Sequence, residues 1–90
     1  MQKYVIERDI PKVGKMNGDE LKGAAQTSNE ALAKLAPRVQ WQQSYVAEDK
    51  TFCVYLADSE DAIREHAELS GFPANKITRI ETVIDPSTGR

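Results

Sequence analysis

The chain has 90 residues, of which 40% are hydrophobic and 29% charged, and its 14 acidic and 12 basic side chains leave a formal net charge of −2. This length fits a single domain over residues 1–90, and the mild acidity without a basic cluster argues against a nucleic-acid partner. No apolar run approaches the roughly 18 residues of a membrane span, so we expect no membrane association. A single cysteine cannot form an internal disulfide, which indicates a cytoplasmic location.

The first predicted element is a β-strand over residues 3–8, where the sequence KYVIER places three β-forming residues together. A loop rich in turn-forming residues follows. The first helix is predicted over residues 18–36, because Asn17 and Glu20 have the spacing of a capping box. Small and apolar side chains then recur at helical spacing on one narrow stripe, which consists of Leu21, Ala24, Ala25, Ser28, Leu32 and Leu35.

Two alternating segments, residues 39–47 and 51–57, predict an antiparallel hairpin. We place its turn on Asp49 and Lys50, which pairs Val46 with Cys53; a slip of one residue would change these partners. The predicted core face consists of Val39, Trp41, Tyr45, Phe52, Val54 and Leu56. The opposite, mixed face consists of Gln42, Ser44, Val46, Cys53 and Tyr55.

The second helix is predicted over residues 60–70, with Ser59 or Asp58 as its cap and Gly71 as its stop. Its inward stripe would be Ala62, Ile63, His66, Ala67 and Ser70. The last strand is predicted over residues 76–84. We expect the polar tail, residues 85–90, to be loosely ordered.

The predicted order of elements is β-α-β-β-α-β, which is typical of the α+β ferredoxin-like fold. That fold has a four-stranded antiparallel sheet with two helices on one face. The other face of the sheet needs a cover, because a domain of this size is marginal when an apolar face stays exposed. We therefore expect a homodimer in which the mixed face of one chain packs on its partner.

Three side chains are candidates for chemistry or metal binding. His66 lies on the inward stripe of the second helix and could be a ligand, a proton carrier or a core histidine with one hydrogen bond. Cys53, alone in mid-strand, is typical of a small buried hydrophobe, but together with His66 it would suit nickel, copper or zinc. Glu7 is a carboxylate within a strand, and it could also be a strand-end residue in a surface salt bridge. The sequence has no phosphate loop, nucleophile elbow or HExxH motif, so we assign no catalytic residue.

Three segments together resemble a family of small bacterial proteins of unknown function that are labelled nickel-binding or nickel-responsive. The segments are YVIER, the stretch WQQSYVAEDKTFCVYLADSEDAIREHAELSGFPANKI and the short VIDP. The resemblance implies a ferredoxin-like dimer of the dimeric α/β-barrel type, with nickel as the candidate ion. The positions inside matching motifs are Glu7, Ser44, Cys53, Tyr55 and His66, of which Cys53, His66 and Glu7 are the candidate metal ligands.

Two functions are compatible with these residues. The first is a cytoplasmic protein that binds a nickel-like divalent ion for buffering, sequestration or sensing. The second is an enzyme or small-molecule binder of the dimeric α/β-barrel kind, with His66 or Glu7 as proton carrier. An apolar pocket of a few hundred Å³ beside His66 would favour the second function, whereas a cleft filled by Trp41, Tyr45 and Phe72 would argue against it.

Overall fold

The order of elements in the computed structural model, which describes residues 1–90, is the predicted one. The strands are β1 (Gln2–Asp9), β2 (Val39–Val46), β3 (Lys50–Ala57) and β4 (Lys76–Ile80), and the helices are α1 (Gly18–Leu35) and α2 (Glu60–Ser70). Two 3-10 turns, Val13–Lys15 and Pro86–Gly89, complete the chain. All strand pairs are antiparallel in the order β2-β3-β1-β4, which confirms the ferredoxin-like fold. Neither helix is both long enough and apolar enough to cross a membrane.

Local signals at the helix ends determine both helices. Asn17 and Glu20 form the predicted capping box, in which the Asn17 side chain accepts from the Glu20 amide and the Glu20 carboxylate accepts from the Asn17 amide. Ser59 caps α2 by accepting from the Ala62 amide, and Gly71 ends it in the left-handed conformation with φ of 78°. The predicted bounds of α2 are therefore confirmed, and α1 ends one residue earlier than predicted.

The predicted register of the hairpin is wrong. The Ala47 amide donates to the Lys50 carbonyl, so the turn is formed by Glu48 and Asp49 rather than by Asp49 and Lys50. Val46 consequently pairs with Thr51, two residues away from the predicted partner Cys53. An irregularity between Trp41 and Gln43 then shifts the register once more, as an extra residue in a β-bulge does.

The assignment of the hairpin faces is wrong for β3 and for Tyr45, whereas Val39 and Trp41 lie on the core side as predicted. Residues of β3 alternate strictly in burial, and the buried set consists of Thr51, Cys53, Tyr55 and Ala57. The residues predicted to form the core face, Phe52, Val54 and Leu56, lie on the opposite side of the sheet together with Tyr45. Because of the bulge, Val39 and Trp41 share the buried side with Tyr55.

The sheet therefore has two distinct faces. The covered face packs against α1 and α2, and its central residues include Tyr4, Ile6 and Arg8 of β1 and the buried residues of β3. The open face has no layer over it, and it presents Lys3, Val5, Glu7, Tyr45, Phe52, Val54, Leu56 and Ile80. The residues with no exposed surface, among them Ile6, Ala57, Ala62 and Ile63, all lie between the covered face and the helices.

Strand β4 ends at Ile80, four residues before the predicted end. Ile80 pairs with Lys3, so continuing in the same register would pair the next residues with Gln2 and Met1, where the partner strand begins. Beyond Glu81 the chain therefore lacks a strand to pair with, and Val83 and Ile84 are exposed. The tail forms the second 3-10 turn, capped by Asp85 and exposed throughout; its loose order stays a prediction.

Candidate functional site

A cavity of about 330 Å³ separates part of α1 from the covered face of the sheet. Eleven of its sixteen lining residues are hydrophobic, and Arg8 is the single charged one. The lining residues are Arg8, Ile10, Val13, Met16, Leu21, Ala24, Ala25, Ser28, Trp41, Ser44, Val46, Thr51, Cys53, Tyr55, Phe72 and Pro73. A volume of this size is at the small end of the range found for ligand pockets, about 300–1,000 Å³.

The segment between β1 and α1, residues 10–17, covers one end of the cavity and is called the cover loop below. It is held on the β2–β3 turn by backbone hydrogen bonds from the Ile10 amide to the Asp49 carbonyl (3.1 Å) and from the Gly14 amide to the Glu48 carbonyl (2.9 Å). A Cβ atom on Gly14 would lie 2.6 Å from the Ala47 carbonyl oxygen, so only glycine permits this approach. The close packing places Val13, which is buried, in the cavity wall.

A cleft filled by Trp41, Tyr45 and Phe72 would have argued against a small-molecule site, but two of these three side chains line the cavity. Trp41 and Phe72 are in its wall, and the Trp41 indole donates to the Ser44 hydroxyl at 3.0 Å. Tyr45 lies on the open face, where 59% of it is exposed. The aromatic residues therefore shape an apolar space and leave it unfilled.

Arg8 is the most unusual residue of the cavity wall. Only 2% of its surface is exposed, although arginine is among the residues least often buried. One guanidinium nitrogen, Nη1, donates to the Pro73 carbonyl at 2.7 Å, whereas the buried Nη2 has no hydrogen-bond partner. None of the ion pairs of the chain involves Arg8. The cavity therefore contains a buried positive charge without a counter-ion.

His66 does not line the cavity, but it contacts Ser28, which does. It is fully buried, its Nε2 lies 3.1 Å from the hydroxyl of Ser28, and its ring is 5.2 Å from that of Tyr55. Burial, with a smaller contribution from the charge of Arg8, lowers the pKa of His66 to about 4. The imidazole is consequently neutral at pH 7, and its Nδ1 has no hydrogen-bond partner.

Tyr55 and Cys53 complete the polar part of the wall. Burial raises the pKa of Tyr55, and the nearby guanidinium of Arg8 offsets only part of that effect, so the phenol stays protonated and supplies no counter-charge. Cys53 is buried on the same side of β3, with its sulfur 3.5 Å from the Thr51 hydroxyl. Both residues were among the positions inside the sequence motifs.

The structure does not bring the three predicted metal ligands together. Cys53 and His66 lie on the helix side of the sheet, whereas Glu7 lies on the open face, where its carboxylate accepts from Lys50 at 3.3 Å. The chain contains no group of three His, Cys, Asp or Glu side chains that could hold one metal ion. The assignment of Cys53, His66 and Glu7 as ligands stays a prediction, and it would require donors from outside one chain.

Sequence reasoning missed Arg8. The signal was present in KYVIER, because Arg8 follows Tyr4 and Ile6 at intervals of two and therefore shares their side of the strand. A charged residue in phase with two core residues is an exception to the usual pattern, and such exceptions are often functional sites.

Comparisons with known proteins agree with this fold. Residues 4–80 match the model of a family described as nickel responsive protein SCO4226-like. The crystal structure of SCO4226 from Streptomyces coelicolor A3(2) aligns with a TM-score of 0.76 and 16% sequence identity, over 91% of this chain and 99% of that chain. At this identity, the structural likeness supports the fold alone. No curated protein matches the sequence.

Proposed function

This chain belongs to the SCO4226-like family of nickel responsive proteins, and we propose that it is a binding protein that holds a small organic ligand in its helix–sheet cavity. The observation that carries the proposal is the cavity itself, which is largely apolar, about 330 Å³ in volume and adjacent to His66 through Ser28. An apolar pocket with a few polar groups is the usual form of a small-molecule site.

The lowered pKa of His66 and the position of Glu7 favour binding over catalysis. His66 is a weak base at pH 7, because burial lowers its pKa to about 4, and its Nε2 is engaged with Ser28. Glu7 lies on the face of the sheet opposite the cavity. A general base needs both a pKa near the working pH and reach to its substrate, and neither residue combines the two.

Trp41 offers a direct test, because it is the single tryptophan and lies in the cavity wall. We expect 1-octanol, as an uncharged apolar probe, to change the Trp41 fluorescence of the wild type in a saturable way. Ala25→Phe should abolish this response by filling the cavity, and the matched change Ala33→Phe at an exposed position of α1 should preserve it. An absent response in the wild type, or an equal response in both variants, would reject the cavity as a binding site.

Nickel is the second candidate ligand, supported by membership of the family. The cavity of a single chain fits a divalent cation poorly, because no carboxylate lines it and the charge of Arg8 repels cations. We therefore propose that a nickel-like ion, if bound for buffering, sequestration or sensing, is held either by Glu7 with donors of a second chain on the open face, or by Cys53 and His66 as a separate buried pair. Calorimetric titration with nickel, repeated for Cys53→Ser, His66→Ala and Glu7→Gln, tests this; equal weak binding by all four proteins would reject it.

A homodimer in the cytoplasm is the assembly that we propose for this chain. Half-buried apolar side chains of Val5, Phe52, Val54 and Leu56 lie on the open face without a cover, and a second copy packed sheet to sheet would bury them. A measured solution mass equal to two chains, reduced to one by Val54→Glu, would support this arrangement. A monomer at all concentrations would contradict it.

A further inference from the structure

The unpaired charge in the cavity points to a more specific ligand. Nη2 of Arg8 is buried, lacks any hydrogen-bond partner and belongs to a side chain that lines the cavity. Leaving a charged donor buried and unsatisfied destabilises the folded chain. Native proteins keep such groups rarely, and each one calls for an explanation.

No group of the protein is placed to neutralise this charge. The cavity wall contains no Asp or Glu, and the Pro73 carbonyl accepts from Nη1 alone. The neighbouring phenol of Tyr55 is neutral at pH 7, as described above. An anion that enters the cavity would both accept from Nη2 and neutralise the charge, which no side chain of the wall does.

The rest of the wall determines what kind of anion fits. Most of the remaining wall is apolar and includes the side chains of Val13, Leu21, Trp41 and Phe72. An inorganic anion would leave these surfaces without a contact, whereas an anion with an apolar body would bury them. The planar guanidinium fork is well suited to a carboxylate.

We propose that the cavity binds a small amphipathic carboxylic acid, whose carboxylate accepts from Nη2 of Arg8 and whose apolar body lies between α1 and the sheet. This inference rests on the proposed binding function and names the chemical class of its ligand. Ser28 and Tyr55 line the cavity with hydroxyl groups that can complete the hydrogen bonding of the carboxylate.

The experiment compares octanoate with 1-octanol, which share an eight-carbon chain and differ in charge. At pH 7 we expect the wild type to bind octanoate about tenfold more tightly than 1-octanol by Trp41 fluorescence, because a hydrogen bond to a charged group contributes that much. Arg8→Met should bind both probes with similar affinity. Arg8→Lys should retain part of the preference for octanoate, since it keeps the charge.

The outcomes distinguish two claims, that the cavity binds a small molecule and that Arg8 binds its carboxylate. If neither probe binds to the wild type, the cavity is no binding site and the proposed function fails. If 1-octanol binds as tightly as octanoate to the wild type, the cavity binds ligands but Arg8 is no carboxylate anchor. The same conclusion follows if Arg8→Met retains the preference for octanoate. The comparison of octanoate with 1-octanol in the wild type tests the proposal even if the Arg8 variants fail to fold.

Discussion

Two consecutive residues of β1 show that charged side chains differ in exposure and pairing between the two faces of the sheet. Glu7 lies on the open face, partly exposed, with its carboxylate 3.3 Å from Lys50. Arg8 lies on the covered face, 2% exposed, with one nitrogen unsatisfied. Solvent and the contact with Lys50 keep the free-energy cost of the Glu7 charge small. The buried charge of Arg8 destabilises the folded chain unless a ligand pairs with it.

This difference separates a structural surface from a candidate site. The open face carries apolar and charged side chains in alternation with an ion pair, which is a composition that suits a protein partner. The covered face combines a closed apolar core at Ile6 and Ile63 with an open cavity at Arg8. Four measurements test whether the two faces differ in this way.

The largest effect is expected where the covered face is fully packed. Ile6→Ala should lower the free energy of unfolding by about 2–5 kcal/mol, because it removes a side chain with no exposed surface and leaves a cavity. Ile80→Ala makes the same deletion on the open face, and we expect it to cost less than half as much. Urea unfolding measures both. An equal loss at low protein concentration would mean that the faces do not differ in packing.

His66 gives the covered face a pH dependence. Its pKa is about 4 in the folded chain and about 6.5 when unfolded, so the unfolded chain binds more protons as the pH falls. The free energy of unfolding should therefore decrease below about pH 6.5. Protonation of His66 in the unfolded chain should lower it by about 3 kcal/mol at pH 4.

His66→Gln serves as the control for that prediction, because it can still bond to Ser28 but does not titrate. Urea unfolding across this pH range should show a weaker pH dependence for His66→Gln than for the wild type. Identical slopes for the two proteins would show that His66 is not held neutral by burial.

A smaller effect, of opposite sign, is expected at Arg8. Arg8→Met should raise the free energy of unfolding of the ligand-free protein by about 1–2 kcal/mol, because it removes an unpaired charge and keeps an apolar stem of similar length. Arg38→Met, at an exposed arginine paired with Glu65 at 2.9 Å, is the matched control and should not be stabilised. Destabilisation by Arg8→Met would indicate that the bond to Pro73 matters more than the unpaired nitrogen.

The smallest effect is expected at Glu7. Glu7→Gln should change the melting temperature no more than Glu48→Gln, an exposed carboxylate without an ion pair, because ion pairs near the surface contribute little. Thermal melts of both variants test this. A clear loss that depends on protein concentration would place Glu7 in a contact between subunits.

The sequence predicted those parts of the fold that depend on neighbouring residues. The bounds and caps of α2 and the capping box of α1 follow from local side chains, and the structure confirms them. The hairpin register could not be predicted from neighbouring residues. The turn at Glu48 and Asp49 is held by hydrogen bonds to the cover loop, which lies about 37 residues earlier in the chain.

The candidate site was less predictable than the fold. Alternation in β1 puts Glu7 and Arg8 on opposite faces, but it does not indicate which face the helices cover. That choice depends on packing across the whole domain, and the bulge near Gln42 places Tyr45 on the face opposite Trp41, although the two were predicted to share a face. We consequently chose the carboxylate on the open face and overlooked the arginine in the cavity.

The change in melting temperature of the wild type on adding octanoate tests directly whether the cavity binds a carboxylate through Arg8. A ligand that binds only the folded chain stabilises it, and one that pairs with Arg8 should do so far more than an uncharged analogue. We predict a higher melting temperature with octanoate than with an equal concentration of 1-octanol, and no such difference for Arg8→Met. Equal shifts for the two compounds in the wild type would show that Arg8 does not bind the carboxylate.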